Sequence, residues 1–151
     1  MTRAPHVEPL AVGDLDQAIS ALRARGLRVS TPRRLVLEAL FAAEGPASAE
    51  QIARQLTLDL ASVYRNLETL ERHGLVRHVH LAHGPGLYAL LVGGEREYLY
   101  CEHCGAVIAL DPRDLDDVRA RIRDRFGYQV AFAHFALTGR CAGCAAASQA
   151  G

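Results

Sequence analysis

Apolar and polar positions in the first half of the chain recur at helical spacing, and each helical stretch opens with a residue that can cap it. Asp14, Ser30, Ser48 and Asp59 stand at these openings, where a side-chain oxygen accepts a hydrogen bond from an unpaired backbone N–H. Ser48 is followed by Gln51 in the capping-box spacing. Four helices are therefore predicted: Asp14 to Arg25, a second opening after Ser30 over Leu35 to Leu40, a short third to about Leu56, and Asp59 to Gly74.

After Gly74 the pattern changes from helical spacing to alternation of apolar and polar residues. Two alternating runs, 75–81 and 87–92, flank the turn Gly84-Pro85-Gly86, which predicts a β-hairpin. Helices followed by a hairpin are typical of a winged helix. We assign residues 1–92 to this domain and expect 1–13 to be disordered.

Beyond Gly93-Gly94 the pattern indicates a second, smaller domain over 95–146. Short strands are predicted at 98–101 and 106–110, and a longer strand at 128–137. A helix beginning near Asp111 carries a predicted inward face, and the small-residue tail is expected to fray. That face consists of Leu115, Val118, Ile122 and Phe126. The predicted fold class is α+β, a winged-helix domain followed by a small α/β domain.

Composition sets limits on these interpretations. The 151 residues leave room for two small domains, and 17 basic residues balance 17 acidic ones, so net charge draws the chain to no partner. All the basic residues are Arg, because the sequence contains no Lys. No run is long and apolar enough for a membrane span or a signal peptide, so we expect a cytoplasmic protein without membrane contact.

Four cysteines form two C-x-x-C pairs, and 36 residues separate the pairs. Four thiolates arranged in this way suit a tetrahedral structural Zn²⁺. The alternative is a pair of redox motifs of the thioredoxin kind, which we disfavour because neither pair is predicted to follow a strand and open a helix. The predicted zinc ligands are Cys101, Cys104, Cys141 and Cys144.

Arginines in the first half of the chain favour binding to nucleic acid. No acidic residue interrupts the stretch from Arg23 to Arg34, although such a run is more often a solvated surface. The outward face of the fourth helix presents Arg65 and Arg72, as a helix that enters a DNA groove requires. Glu68 and its neighbour Glu71 argue mildly against this interpretation.

Histidines give a second candidate metal site. His78 and His80 alternate on the first strand of the hairpin and therefore point to one face. Each histidine taken alone is more often a hydrogen-bonded surface residue than a ligand. If His134 folds back beside this strand, the three imidazoles form a site whose occupancy biases the two domains.

Five stretches of the sequence match one known family in order and spacing: RGLRVSTPRRLVLEAL, SAEQIARQL, ASVYRNLETLERHGLVR, YLYCEHCGAVIAL and HFALTGRCAGC. On these stretches the sequence resembles the ferric uptake regulator (Fur) family of bacterial metal-responsive repressors. The resemblance implies a winged-helix DNA-binding domain joined to an α/β dimerisation domain, and a homodimer that binds a palindromic double-stranded operator.

Individual positions also match the family. Tyr64 and Arg65 match its recognition-helix Tyr-Arg pair, and Arg28 and Arg33 match basic positions near the DNA backbone. The four cysteines match the zinc site of many members. The segment HVHLAHG and the stretch HFALTGRC are most similar to the nickel-responsive branch, whose metal site has histidines matching His78, His80 and His134.

Two departures from the family pattern concern its usual regulatory site. Members commonly have a histidine-rich run before the first C-x-x-C pair, where this chain has Gly94-Glu95-Arg96-Glu97-Tyr98. Pro46 stands where a sensing histidine is often found. The identity of the effector metal therefore does not follow from the resemblance.

The resulting hypothesis is a dimeric, metal-dependent transcriptional regulator, a repressor of metal-homeostasis or oxidative-stress genes. It holds structural Zn²⁺ and a second transition metal drawn from Ni²⁺, Zn²⁺, Fe²⁺ and Mn²⁺, and peroxide sensing stays open. One alternative keeps the fold but binds DNA without metal control. Another is a thiol oxidoreductase or zinc enzyme, which we disfavour because four cysteines close the coordination shell; no catalytic residues are predicted.

Overall fold

The computed structural model describes residues 7–82, 84 and 86–149, which divide into two compact units. The first extends to His78 and includes Gly86–Gly94, and the second consists of Val79–Pro85 and the chain from Glu95 onward. None of the helices within the described ranges has both the length and the apolar character that a membrane span requires.

Four helices form the first unit, as the sequence predicts. They are α1 (Leu15–Ala24), α2 (Thr31–Ala42), α3 (Ala49–Leu56) and α4 (Leu60–Arg72). Every predicted cap is present: the Asp14, Ser30 and Asp59 side chains each accept a backbone N–H, and Ser48 forms the capping box with Gln51. The helix openings are therefore determined by local hydrogen bonding.

A three-stranded sheet completes this unit. It contains β1 (Ala47–Ser48), β2 (Val76–His80) and β3 (Gly86–Leu90) in the order β1-β3-β2. The last two residues of β2, Val79 and His80, are part of the second unit. The predicted hairpin strands β2 and β3 are confirmed, whereas Pro85 of the predicted turn lies outside the described residues. The pattern did not reveal β1, because two residues are too few to show alternation.

The core of the first unit is apolar and positions α4. Val63, Leu67 and Leu70 of this helix are completely buried among residues of the other three helices. Leu60, which the helical spacing places on the same stripe, is 40% exposed because it lies in the first turn. The opposite face of α4 is thus left for other contacts.

The N-terminal segment is held against the turn that joins α4 to β2. Of the region predicted to be disordered, residues 1–6 lie outside the described part. Leu10 donates its backbone N–H to the Gly74 carbonyl over 2.9 Å and packs on the core. Gly74 has a φ of +76°, and a Cβ there would lie 2.3 Å from the Glu8 carbonyl oxygen, so this position requires glycine.

The second unit is built on a smaller sheet. It contains β4 (Glu97–Cys101), β5 (Val107–Leu110) and β6 (Leu137–Gly139), with β4 in the centre, antiparallel to β5 and parallel to β6. A 3₁₀ turn at Pro112–Leu115 leads into α5 (Asp116–Phe126), and α6 (Ala142–Gln149) follows β6.

Three predictions for this half were wrong. The strand predicted at 128–137 is regular only over Leu137–Gly139, because alternation alone does not supply a pairing partner. The predicted tail fray is instead the helix α6, where consecutive alanines have high helix propensity. The predicted inward face of α5 is not buried: Phe126 is 63% exposed, since helical spacing identifies an apolar face but not what covers it.

Candidate metal sites and nucleic-acid interface

The two C-x-x-C pairs converge in the second unit. Cys101 ends β4 and Cys104 lies in the turn that follows, while Cys141 and Cys144 stand at the opening of α6. Gly105 takes a φ of +78°, which lets the first turn close around the sulfurs. The four Sγ atoms lie within 4.8 Å of one another.

This geometry fits a zinc ion. Cys104 Sγ and Cys141 Sγ are 3.9 Å apart, and sulfurs that share one tetrahedral zinc at the usual bond length are separated by about 3.8 Å. Backbone N–H groups of Cys104 and Cys141 point at the Cys101 sulfur, at 3.5 and 3.4 Å. These two hydrogen bonds lower the pKa of the Cys101 thiol to about 6, and a thiolate is the form that binds metal.

The Cys144 thiol has the opposite character. Its hydrogen bond to the Cys141 sulfur, together with burial, raises its pKa to about 12. One thiolate is therefore favoured in the cluster and further ionisation is opposed by the first. A bound divalent cation would remove that opposition, because it compensates the negative charge of neighbouring sulfurs.

The second cysteine pair lies where a strand leads into a helix, contrary to the prediction. Sequence reasoning expected neither pair to follow a strand and open a helix, but Cys141 and Cys144 lie after β6 at the start of α6. That premise fails because the tail is helical. The convergence of all four sulfurs still favours a shared ion over two separate redox pairs, since a redox pair needs only its own two thiols.

The second unit also brings His80 and His134 together. The His80 N–H donates to the His134 carbonyl over 2.9 Å, and the Ala136 N–H donates to the His80 carbonyl over 3.1 Å. The two ring centroids are 5.0 Å apart. Two imidazoles bound to one tetrahedral ion at the usual Zn–N length have centroids about 5 Å apart, so this pair suits a transition metal.

His78 belongs to the first unit and precedes His80 by two residues on β2, so both side chains leave the same face of that strand. The His78 ring stands close to the Glu71 carboxylate, with Nδ1 2.7 Å from Oε2 and 2.9 Å from Oε1. The His78 backbone N–H also donates to Glu71 Oε2 over 2.7 Å. Sequence reasoning treated Glu71 only as an unfavourable charge beside DNA.

The outward face of α4 carries exposed donors. Arg65 and Arg72 are exposed and Thr69 is half-buried between them. Thr69 Oγ1 donates to the Arg65 carbonyl over 2.9 Å and accepts from Arg72 Nη2 over 3.1 Å. Arg72 is therefore restrained by its own helix, whereas Arg65 extends from the middle of the exposed face.

Two of the predicted DNA-binding residues also join the helices. Tyr64 donates its hydroxyl hydrogen to Glu50 Oε1 over 3.0 Å, which raises the pKa of the tyrosine. Arg33 donates from Nε to Asn66 Oδ1 over 3.1 Å and from Nη1 to the Arg28 carbonyl. Arg28 itself is exposed. Sequence reasoning missed Glu50 and Asn66, since their partners are distant along the chain.

An ion-pair cluster occupies the segment where the family commonly has histidines. Glu97, only 3% exposed, accepts two hydrogen bonds from Arg119 Nη1, at 2.6 and 2.8 Å, and one from the Phe132 N–H at 3.1 Å. The other terminal nitrogen of Arg119 binds Asp116 over 2.7 Å. A guanidinium thus already neutralises these carboxylates.

Comparison with known proteins identifies one family to which the chain is similar. The model of the ferric uptake regulator family matches residues 24–138. The ferric uptake regulation protein of Vibrio anguillarum is 30% identical over 128 residues, which cover 81% of this chain and 86% of that protein.

Solved structures agree. The ferric uptake regulator of Pseudomonas aeruginosa, determined with manganese, superposes with a TM-score of 0.62 at 31% identity, covering 82% of this chain and 96% of that one. The Helicobacter pylori regulator Fur, with three metal-binding sites, gives a TM-score of 0.71 at 17% identity over 90% of this chain and 97% of that one, a similarity of fold alone. The chain belongs to the ferric uptake regulator family, whose members are metal-dependent, DNA-binding regulators of transcription.

Proposed function

We propose that this protein is a homodimeric repressor that binds a palindromic operator under the control of a metal held by the histidines of β2 and by His134. The observation that carries the proposal is that the imidazoles of His80 and His134 lie side by side. His80 is on β2, the strand that follows α4 directly in the chain. Occupancy of such a site would change the restraint on the strand next to the proposed recognition helix.

The four cysteines would hold a structural Zn²⁺ that binds the end of β4 to the start of α6. Cys101, Cys104, Cys141 and Cys144 fill a tetrahedral shell and leave no open position. This supports a role in folding over catalysis, and family membership favours a regulator over a thiol oxidoreductase or zinc enzyme. Action on DNA is also the basis for proposing a cytoplasmic location.

The effector metal would be bound by His78, His80 and His134. Imidazole nitrogens suit Ni²⁺, Zn²⁺ and Fe²⁺ better than the hard cations that prefer oxygen. Three protein ligands leave room for solvent or a further donor, which favours exchange of the ion. The similarity to the nickel-responsive branch predicts Ni²⁺ as the effector. The Pseudomonas aeruginosa relative was determined with manganese, so the test includes both metals.

The DNA-binding surface would consist of α4, Arg28 before α2, and Arg33 in the first turn of α2. Arg65 would reach base edges in the major groove, with Tyr64 beside it on the helix. Arg28 would contact phosphate, and Arg33 would do so while bracing Asn66. Two protomers would then contact half-sites about one helical turn apart, or a multiple of that distance.

The test uses the zinc-loaded protein and a duplex selected by it from a random library. Ni²⁺, Zn²⁺, Fe²⁺ and Mn²⁺ are added separately while DNA affinity is measured, with His80→Ala and His134→Ala as variants and His103→Ala as the control, because His103 is exposed and outside the proposed site. At least one metal should change affinity 5-fold or more, and the two variants should lose this response while the control keeps it.

A constant DNA affinity under every metal would contradict metal control and favour the alternative of a metal-independent DNA-binding regulator. A response that survives both histidine variants would place the effector site elsewhere. Peroxide sensing is tested by mass spectrometry after treatment of the Fe²⁺-loaded protein with peroxide. If the histidine ligands sense peroxide, one of them should gain the mass of an oxygen atom.

A further inference from the structure

Glu71 makes an unusual double contact with one of the proposed metal ligands. Its carboxylate accepts the backbone N–H of His78 at 2.7 Å and also lies 2.7 and 2.9 Å from Nδ1 of the same residue. Both side chains are 29% exposed, so water competes only partly for these hydrogen bonds. The contact is contained in the first unit and joins the last turn of α4 to β2.

The chemistry of this contact determines which ring nitrogen of His78 carries the lone pair. A carboxylate only accepts hydrogen bonds, so Nδ1 of His78 carries its hydrogen and donates it to Glu71. In neutral His78 the lone pair is then on Nε2, the nitrogen that points away from the carboxylate. Metal-binding histidines are commonly fixed in this way by a carboxylate on the other nitrogen, which also makes the ligand more basic.

We propose that Glu71 is the positioning residue of the regulatory metal site: it fixes His78 in the tautomer whose Nε2 carries the lone pair that binds the metal, and it connects that ligand to α4. This inference rests on the proposed function, because it concerns the same histidines. Glu71 would also form a physical route between the metal and DNA, because it lies on the helix that carries Arg65 and is adjacent to Arg72 in the sequence.

Glutamine at position 71 separates this role from a merely structural one. The carboxylate has two accepting oxygens for two donors, whereas an amide of the same shape has one oxygen and one NH₂ group. If the Gln oxygen accepts the backbone N–H, its NH₂ group faces Nδ1 and favours the tautomer with hydrogen on Nε2. The variant Glu71→Gln should therefore close the metal-binding nitrogen while leaving the size of the side chain unchanged.

The experiment compares the zinc-loaded wild type with Glu71→Gln, and with Glu68→Gln as the matched control on the exposed face of α4. ¹⁵N chemical shifts of the imidazoles report the His78 tautomer before a second metal is added. We expect the Nδ1–H form in the wild type and the control, and the Nε2–H form in Glu71→Gln. Calorimetric titration with Ni²⁺ and with Zn²⁺ should then show affinity 10- to 100-fold weaker in Glu71→Gln.

A third readout tests the route to α4. At saturating metal, the metal-induced change in DNA affinity should be smaller in Glu71→Gln than in Glu68→Gln. An unchanged metal affinity, or an equal DNA response in both variants, would overturn the positioning role. An Nε2–H tautomer in the wild type would overturn it without any variant, so a Glu71→Gln protein that does not fold leaves the test intact.

Failure of the proposed function looks different. If the wild type binds no metal beyond the cysteine site, the histidine site itself is wrong, and the His78 tautomer still shows whether Glu71 orients the ring. If the wild type binds a second metal with normal DNA control but Glu71→Gln behaves like the wild type, only this inference fails.

Discussion

The two units are stabilised in different ways. The first has a continuous cluster of 15 buried apolar residues drawn from all four of its helices and the start of β2. Among the described residues of the second unit, the buried apolar or sulfur-containing side chains are Val79, Leu81, Tyr98 and Cys101. A small domain with so little apolar burial needs another source of stability.

The second unit has two such sources on its surface and in its turns. One is the four-cysteine cluster. The other is a set of large apolar side chains that this chain leaves exposed, including Ile108 at 53% and Phe126 at 63%, as expected of a surface that a second copy covers. The proposed function would therefore place DNA binding on the unit that has its own apolar core, and dimerisation on the unit that needs further stabilisation.

Removal of zinc should have the largest effect on the difference in stability between the two units. Chelation, or Cys104→Ser, takes away a binding free energy on the order of 10 kcal/mol that is also folding free energy. Hydrogen exchange should become fast over β4 to α6 and the dimer should dissociate, while α1 to α4 stay protected. His103→Ala is the control. Equal loss of protection in both units would contradict the division of stability described here.

Loss of the buried ion pair should have the next largest effect. Arg119→Met leaves Glu97 buried without its guanidinium, which costs about 3 to 5 kcal/mol. Urea unfolding of the zinc-loaded protein should show the second unit unfolding at lower denaturant concentration. The exposed Arg121→Met on the same helix should change stability by much less; similar effects of both variants would show that Glu97 is not held by this pair.

A substitution in the apolar core should destabilise the first unit and leave the second unchanged. Leu67→Ala removes a completely buried side chain of α4 and should destabilise the first unit by about 3 kcal/mol. Leu60→Ala, at a 40% exposed position of the same helix, should cost far less. Hydrogen exchange should show faster opening of α1 to α4 with the second unit unchanged, and the reverse pattern would place this leucine outside the stabilising core.

The parts that sequence predicted well depend on local chemistry. Ser48 and Gln51 satisfy each other's backbone groups within one helical turn, so their spacing alone identifies the start of α3. The cysteine pairs were equally readable, because zinc imposes the spacing of its ligands. The sequence also predicts that His78 and His80 point to the same face, because residues two apart on one strand do so.

The parts that sequence missed depend on contacts between distant segments. The rest of β4, all of β5, a 3₁₀ turn and the start of α5 separate Glu97 from Arg119, and neither residue indicates its partner. The proximity of His134 to His80 could be stated only as a condition, since the backbone pairing that produces it is a single bridge between the end of β2 and an irregular segment. The exposed face of α5 was misassigned because helical spacing marks an apolar face without showing whether another element packs on it.

The reciprocal backbone hydrogen bonds at His80 have a consequence for reversibility. They set the spacing of two imidazoles before any ion arrives, so capture of a metal there requires little rearrangement of the chain. The sulfur cluster is the opposite case, because its ion holds together segments with few other reasons to meet. If both proposed sites bind metal, the cysteine site would therefore keep its ion while the histidine site exchanges its own, so a falling metal concentration would empty the histidine site well before the cysteine site.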